Sequence, residues 1–299
     1  MARLRRPLAA GVLALGLLSR TAARRRARLA QVRTDQRQPT ARPPGAGEYR
    51  MSVVIPAYTE AHRIADTVAR VRAALADVDA PEAFEVIVVD DGSTDDTAEQ
   101  ARAAHADQVL VLPLNRGKGA AVRAGVLAAR GRTIAFTDAD LSYPPHQLVR
   151  LLTEVEAGFD VVVGSRKHIE ATTLVRGRRL RMLSGRIFNL LTLAVLLGQY
   201  RDTQCGIKAF RSDVARTLFS RARIDGFAFD VELFHLVERD RLSLREVPVA
   251  LANSETSTVR VGIDAARMLR DLFRIRWWGY RGLYDHGRQA APPLGSAPG

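Results

Sequence analysis

A single cysteine, Cys205, stands in the 299 residues of this chain, which excludes an internal disulfide and a thiolate metal cage and fits a reducing compartment. Lysine is scarce as well: Lys118, Lys167 and Lys208 are the three, so the basic side chains are overwhelmingly arginine. Long apolar runs are missing. The stretches PLAAGVLALGLL (7–18) and IFNLLTLAVLLG (187–198) are too short to span a bilayer, where about 20 residues are needed. No internal repeat is visible. Aromatic residues make up 6% of the chain, and no basic face of the body is studded with them, so nucleic acid is not an expected partner. The formal charge of +13 does not alter this once it is located. Residues 1–50 hold 12 arginines against Asp35 and Glu48, and the remainder carries a net charge of only +3.

The basicity therefore belongs to an N-terminal stretch. Arg3, Arg5 and Arg6 precede the apolar run 7–18 as in a secretory signal, yet TAARRRAR follows where a small-residue cleavage site would be needed. QVRTDQRQPTARPPGAGEYR then reads as a polar linker, and Met51 directly precedes the first apolar strand. Two expectations stay open: translation that begins at Met51, or a basic anchor on a membrane surface. The chain divides into a basic extension at 1–50, a folded domain at 51–276 and a tail at 277–299.

From Met51 onward apolar runs alternate with helix-period segments. Strands are expected at 51–56, 84–90, 108–113, 132–138 and 159–165, and helices near 59–76, 94–105, 117–130 and 144–157. Val/Ile-rich runs alternating with helices imply an α/β domain whose mostly parallel, doubly wound sheet is covered on both faces. Ligands of such sheets sit at the carboxyl ends of the strands. Past residue 165 the rhythm changes to a basic loop, the apolar segment 187–198, a strand at 206–211, a helix at 227–241, a strand at 242–251 and a last helix at about 262–276.

The polar clusters fall at strand ends. VVDDGSTDDT (88–97) sets Asp90 and Asp91 at the end of the second strand, Gly92 in a tight turn, and Ser93 and Thr94 where they can cap the next helix. A carboxylate at position 90 can take hydrogen bonds from a ribose hydroxyl or a base N–H lying across the strand end. NRGKGAAVRAG (115–125) opens a helix but lacks the P-loop pattern. Lys118 there can meet a diphosphate, or the glycines serve close packing. FTDADLS (136–142) places Asp138 and Asp140 one residue apart. Like charges that close need a counter-cation. Mg²⁺ or Mn²⁺ suits the pair, because such ions accept few protein oxygens and complete their shell with water and substrate phosphates.

In order, VVIPAYTEAHRI, VVDDGSTDDT, NRGKGAAVRAG, TDADLSYPP, VVGSR, DTQCGIKAFR and GFAFDVEL resemble the family 2 inverting glycosyltransferases, and more narrowly the polyprenyl (dolichyl)-phosphate glucosyl- and mannosyltransferases. The likeness covers residues 51–276. It implies a GT-A fold with C-terminal amphipathic helices, a UDP-glucose or GDP-mannose donor, Mg²⁺ or Mn²⁺ on Asp138 and Asp140, and a polyprenyl phosphate acceptor. By the same match Pro56, Tyr58, Glu60, Asp90, Asp91, Gly92, Lys118, Asp138, Ala139 and Asp140 hold the nucleotide-sugar, and Arg166 the acceptor phosphate. Ser142 stands where mannosyl-transferring relatives carry a stronger metal ligand. Expected products are a β-linked hexose, here glucose, on the lipid phosphate. The alternative is another family 2 transferase, using GDP-mannose or a soluble or glycolipid acceptor. A binding module without catalysis is disfavoured, since both acids of DAD are present.

The residues agree with that implication. An acceptor phosphate is already anionic near neutral pH, so it needs cations more than a general base. Arg166 and the cluster Arg176, Arg178, Arg179 and Arg181 can supply them, unless the cluster is a solvated face. Asp202 of DTQCG is the candidate acceptor-side carboxylate, as base or as orienter of an arginine. Asp230 and Glu232 read as helix N-terminal dipole partners, and His105, His146 and His168 as surface residues. The arginine-rich N-terminus, segment 187–198 and the basic helix ending in Trp277 and Trp278 suggest peripheral attachment at the cytoplasmic membrane face.

Overall fold

The computed structural model describes residues 39, 42–76, 84–166, 205–252 and 261–285, with side chains from 267 onward in the last stretch. Among them, seven strands form one sheet: β1 (Tyr49–Ala57), β2 (Phe84–Asp90), β3 (Gln108–Val111), β4 (Gly131–Phe136), β5 (Val161–Ser165), β6 (Lys208–Arg211) and β7 (Leu244–Pro248). The order is β3-β2-β1-β4-β6-β5-β7. All neighbours are parallel except β6, which runs against both β4 and β5. The carboxyl ends of β1, β2, β4 and β5 therefore share one edge, and the start of β6 joins them there.

The helices are α1 (Ile64–Ala76), α2 (Thr97–Ala103), α3 (Lys118–Ala128), α4 (Gln147–Glu156), α5 (Ser212–Arg221), α6 (Phe229–Arg239) and α7 (Val261–Tyr280). Alternation along each strand sends residues to opposite faces. Val54, Val89 and Phe136 pack with Val122 and Val126 of α3, Leu218 of α5 and Leu233 of α6. Val53, Val88 and Ala135 face α1 and α4 in a second core. In α4 the buried Leu148, Leu151, Leu152 and Val155 recur at helical spacing, which turns one stripe to the sheet. Each such side chain contributes about 1.5–3 kcal/mol when fully buried.

The packed body is wider than residues 51–276. β1 begins at Tyr49, Gly45 is buried, Arg211 donates to the Pro43 carbonyl at 2.7 Å and Ser212 to that of Ala46 at 2.8 Å. At the other end Tyr284 is fully buried. Helix α5, absent from the expectations, follows β6 without a loop. No helix among the described residues is long and apolar enough to cross a membrane.

Candidate active site

The loops after β1 and β2 clasp each other. Thr59 N–H donates to Ser93 Oγ at 2.9 Å, Glu60 N–H to Thr97 Oγ1 at 2.9 Å and Ala61 N–H to Asp95 Oδ2 at 3.2 Å. Ser93 and Thr94 do not cap α2. Ser93 is spent on Asp90, which accepts both its amide at 2.9 Å and its hydroxyl, while Asp95 Oδ1 accepts from Thr97. Gly92 turns the chain at φ +71°, and a Cβ there would meet the Leu114 backbone at 2.5 Å, so no side chain fits. Asp91 is buried and caps the next loop, accepting from Arg116 N–H at 2.9 Å and Gly117 N–H at 2.7 Å. Burial raises its carboxyl above the usual range despite those amides. Pro56 sits in β1 and Tyr58 follows the strand end with half its surface exposed, free to lie against a planar base.

Asp138 and Asp140 emerge from β4 side by side, both half-buried. Their turn is fixed from below: Thr67 Oγ1 of α1 donates to the Ala139 carbonyl at 2.6 Å. Asp140 accepts from Ser142 through its amide at 2.9 Å and hydroxyl at 2.8 Å, so Ser142 orients the acid rather than standing apart from it. Lys118, first residue of α3, forms an ion pair with Asp138. Burial works against its ammonium, but Asp138, with Asp230 and Asp140, outweighs burial and holds Lys118 above the ordinary lysine range. Glu60 lies within the field of Asp140; burial pushes its carboxyl up against the pull of Arg63, its ion-pair partner at 2.8 Å. Among the described residues no group of three or more His, Cys, Asp or Glu gathers for a metal. Two carboxylates are nevertheless a donor set that fits Mg²⁺ or Mn²⁺, whose remaining positions go to water and phosphate oxygens.

Segment 222–228 closes the far side of the α3 start. Arg116 and Arg123 both reach Asp225, at 3.0 and 2.5 Å, and Ala120 N–H donates to the Asp225 carbonyl at 3.1 Å. Gly119 permits this approach, since a Cβ there would meet the Ile224 carbonyl at 2.5 Å. The glycines of this stretch thus serve close packing, and Lys118 at the helix start is paired with Asp138. Glu232 secures the segment, accepting from Ile224 N–H at 2.8 Å, from Arg223 N–H at 3.0 Å and from the Tyr284 hydroxyl at 2.7 Å. Burial raises both the Glu232 carboxyl and the Tyr284 phenol.

Asp230 and Glu232 do lie in the first turn of α6, but as buried groups with named partners rather than as solvated dipole partners. Asp230 pairs with Lys208 at 2.7 Å, a contact that no local pattern announces. Arg166 stands half-buried just past β5, on the same edge as the acids. His105 and His146 are exposed, and Trp277 is exposed while Trp278 packs beside Tyr284. Asp202, Arg176, Arg178, Arg179, Arg181, His168 and segment 187–198 lie outside the described residues.

Several known proteins are similar to this chain. The family model for glycosyl transferase family 2 matches residues 52–219. The dolichyl-phosphate β-glucosyltransferase of Drosophila melanogaster is 36% identical over 77% of this chain and 75% of its own. The human protein of that name is 32% identical over 76% and 75%. In three dimensions the chain resembles glucosyl-3-phosphoglycerate synthase from Mycobacterium tuberculosis, solved with Mn²⁺, UDP and glucosyl-3-phosphoglycerate, at a TM-score of 0.59 and 24% identity over 77% of this chain and 81% of that one.

Proposed function

Because the chain belongs to glycosyl transferase family 2, we propose that it transfers glucose from UDP-glucose to a polyprenyl phosphate, with inversion, as a dolichyl-phosphate β-glucosyltransferase does. The observation that carries this reading is likeness to such enzymes at 30–36% identity across about three quarters of either chain. The site's chemistry supports it. Tyr58, Asp90 and the clasped loops around them offer a nucleoside platform, and Lys118 stands where a diphosphate would need positive charge. Asp138 and Asp140 would hold Mg²⁺ or Mn²⁺, which supplies Lewis-acid stabilisation of the departing diphosphate. Lys118 adds a point charge for the same oxygens once its pairing with Asp138 is shared.

On the acceptor side we assign Arg166 to the lipid phosphate as a bidentate donor, with Arg178 and Arg179 as further candidates. That phosphate attacks as an anion, so Asp202 is assigned to orientation or proton removal at the acceptor. The acceptor stays in the bilayer, and the enzyme meets it as a peripheral protein at the cytoplasmic face. Helix α7 supports this: Leu269, Phe273, Trp277 and Tyr280 are exposed and fall on one stripe at 100° per residue. Arg270, Arg274 and Arg281 flank that stripe, Arg281 lying 4.9 Å over the Trp277 ring. Basic groups near anionic lipid contribute about 1 kcal/mol each.

The test is a donor panel. UDP-glucose and GDP-mannose, each radiolabelled, are offered with purified polyprenyl phosphate and Mg²⁺. Lipid-linked glucose from UDP-glucose is the expected product; transfer from GDP-mannose alone, or only onto a water-soluble acceptor, overturns the assignment. Converting Arg166 to Ala should raise the KM for acceptor about tenfold or more and leave UDP affinity unchanged. Lost UDP affinity would place Arg166 on the donor phosphates instead.

A further inference from the structure

The stretch CGIK, residues 205–208, carries no chemistry of its own yet reaches the centre of the site. β4 and β6 are antiparallel with Phe136 opposite Lys208. The same register, followed two residues on, sets Gly206 opposite Asp138. A Cβ on Gly206 would run into the Asp138 carboxylate, meeting Oδ2 first. Gly206 therefore walls one side of that carboxylate while Lys118 meets it from another.

What holds the wall is Lys208. Its side chain is 1% exposed, its ammonium donating to the Cys205 carbonyl at 2.6 Å and to Asp230 Oδ1 at 2.7 Å. The same ammonium lies 5.3 Å from the Phe136 ring centre and 5.9 Å from that of Phe234. A buried ion pair is a poor way to gain stability, because desolvation of both charges opposes their attraction and an apolar pair of like volume often does as well. The Phe136 and Phe234 rings flank this place, so an apolar pair at 208 and 230 would suit the core. The lysine adds something an apolar residue lacks, a donor fixed to the carbonyl immediately before Gly206.

We propose that Lys208, with Asp230 as its counter-ion, is a positioning residue that tethers the Cys205–Gly206 backbone as a wall and so orients the Asp138 carboxylate for a divalent cation. The inference rests on the metal role given above to Asp138 and Asp140. It accounts for a glycine whose backbone has no positive φ and whose need for smallness comes from the carboxylate across the strand pair. It also makes Asp230 part of the site's architecture through Lys208, without contact to substrate.

The test titrates Mn²⁺ alone into the full chain, following the free-ion electron paramagnetic resonance signal, alongside thermal melting. Gly206→Ala should keep the wild-type melting temperature, since a swing of one carboxylate relieves the clash, and should weaken Mn²⁺ binding about 10–100-fold. Lys208→Met removes the ammonium that Asp230 pairs with directly and should lower both stability and Mn²⁺ affinity. Lys208→Met combined with Asp230→Leu removes the stranded charge, so melting should recover while Mn²⁺ binding stays at least about tenfold weak. Wild-type Mn²⁺ affinity in Gly206→Ala or in the double variant overturns the positioning role. A wild-type chain that binds no Mn²⁺ overturns the metal assignment itself, and this inference with it. If Lys208→Met does not fold, Gly206→Ala still decides the matter.

Discussion

Asp138 and Asp140 stand one residue apart at the carboxyl end of β4, and Asp230 and Glu232 stand one residue apart in the first turn of α6. In sequence the two pairs look alike, each beside an aromatic or apolar stretch. In the fold they differ in what surrounds them. The first pair is half-buried, and its partners are a lysine from the start of α3 and a serine two residues on, both of which a ligand could displace. The second pair is buried, and its partners are Lys208, backbone amides and the Tyr284 hydroxyl. The edge of a parallel sheet leaves carboxylates facing an opening, whereas a helix start packed on the sheet closes them in. Spacing alone therefore does not separate an acid left at a sheet edge from one packed into the core; the element that carries it does.

Substitutions in each of the two pairs sharpen this contrast most. Asp138→Ala, or Asp140→Ala, should lower kcat by about 10³-fold or more, since metal stabilisation of the leaving group is worth several kcal/mol. The melting temperature should stay near wild type, and EDTA should reproduce the loss reversibly. Full turnover in chelator would remove the metal from the site. Glu232→Ala should do the reverse. It strands the Tyr284 hydroxyl and the amides of residues 223 and 224, at about 1–3 kcal/mol for each buried donor left unpaired, so a loss of roughly 3 kcal/mol is expected in urea unfolding. Mn²⁺ binding by the folded fraction should persist. A stable Glu232→Ala protein without donor binding would make this acid a site residue after all.

The same physical difference explains what could be read in advance. β2 matches its expected span of 84–90 because FEVIVVD is a continuous apolar-flanked run ending in Asp-Asp-Gly, which stops a strand. The strand-end positions of Asp90 and of the two acids of DAD were legible for a related reason: polar groups there break an apolar pattern locally. α5 was missed although Val214, Ala215, Leu218 and Phe219 keep helical spacing, since it starts on the residue directly after β6 with no turn signal between them. The reversal of β6 within a parallel sheet was equally hidden, because strand direction follows from connections and not from composition. The pairs Lys208–Asp230 and Glu232–Tyr284 join residues 22 and 52 positions apart, and nothing local marks them. The tryptophan pair was read as one unit, yet the step of about 100° between adjacent helix residues sends Trp277 outward and Trp278 against the core.

The exposed half of α7 offers a milder perturbation. Phe273 and Trp277 are 68% and 53% exposed in a stripe flanked by arginine. Phe273→Glu with Trp277→Glu should weaken co-sedimentation with anionic vesicles about tenfold, because apolar insertion is lost and the added charge is repelled. Wild-type binding should itself weaken as salt is raised. Unchanged vesicle binding by the double variant would move attachment away from α7, to the first fifty residues, and a chain starting at Met51 would then fail to sediment.

The smallest expected effect lies at the seam between α6 and α7. His235 packs against Tyr284 with ring centres 5.8 Å apart, and its Nε2 is buried without a hydrogen-bond partner among the described residues. Gly279 of α7 leaves room for it, since a Cβ there would meet Nε2 at 2.6 Å. Burial lowers the imidazole's proton affinity, and the neighbouring Arg239 and Arg276 lower it further against the opposing pull of Asp240. The unfolded chain therefore binds a proton at His235 before the folded one does. Stability from this residue is intact above the ordinary histidine value of about 6.5 and is lost as pH falls from there toward the lowered folded value. Buried carboxylates work the other way, because Asp230 and Glu232 are raised and favour the folded state in acid. The two trends overlap, so the wild-type curve alone is ambiguous and a difference measurement is needed. His235→Gln removes one proton site and leaves the carboxylates in place. Between pH 7.5 and 5.5 its melting temperature should fall by about 2 °C less than that of wild type. Parallel curves for the two proteins would mean that the imidazole titrates as freely in the folded chain as in the unfolded one, and that the seam is open to water.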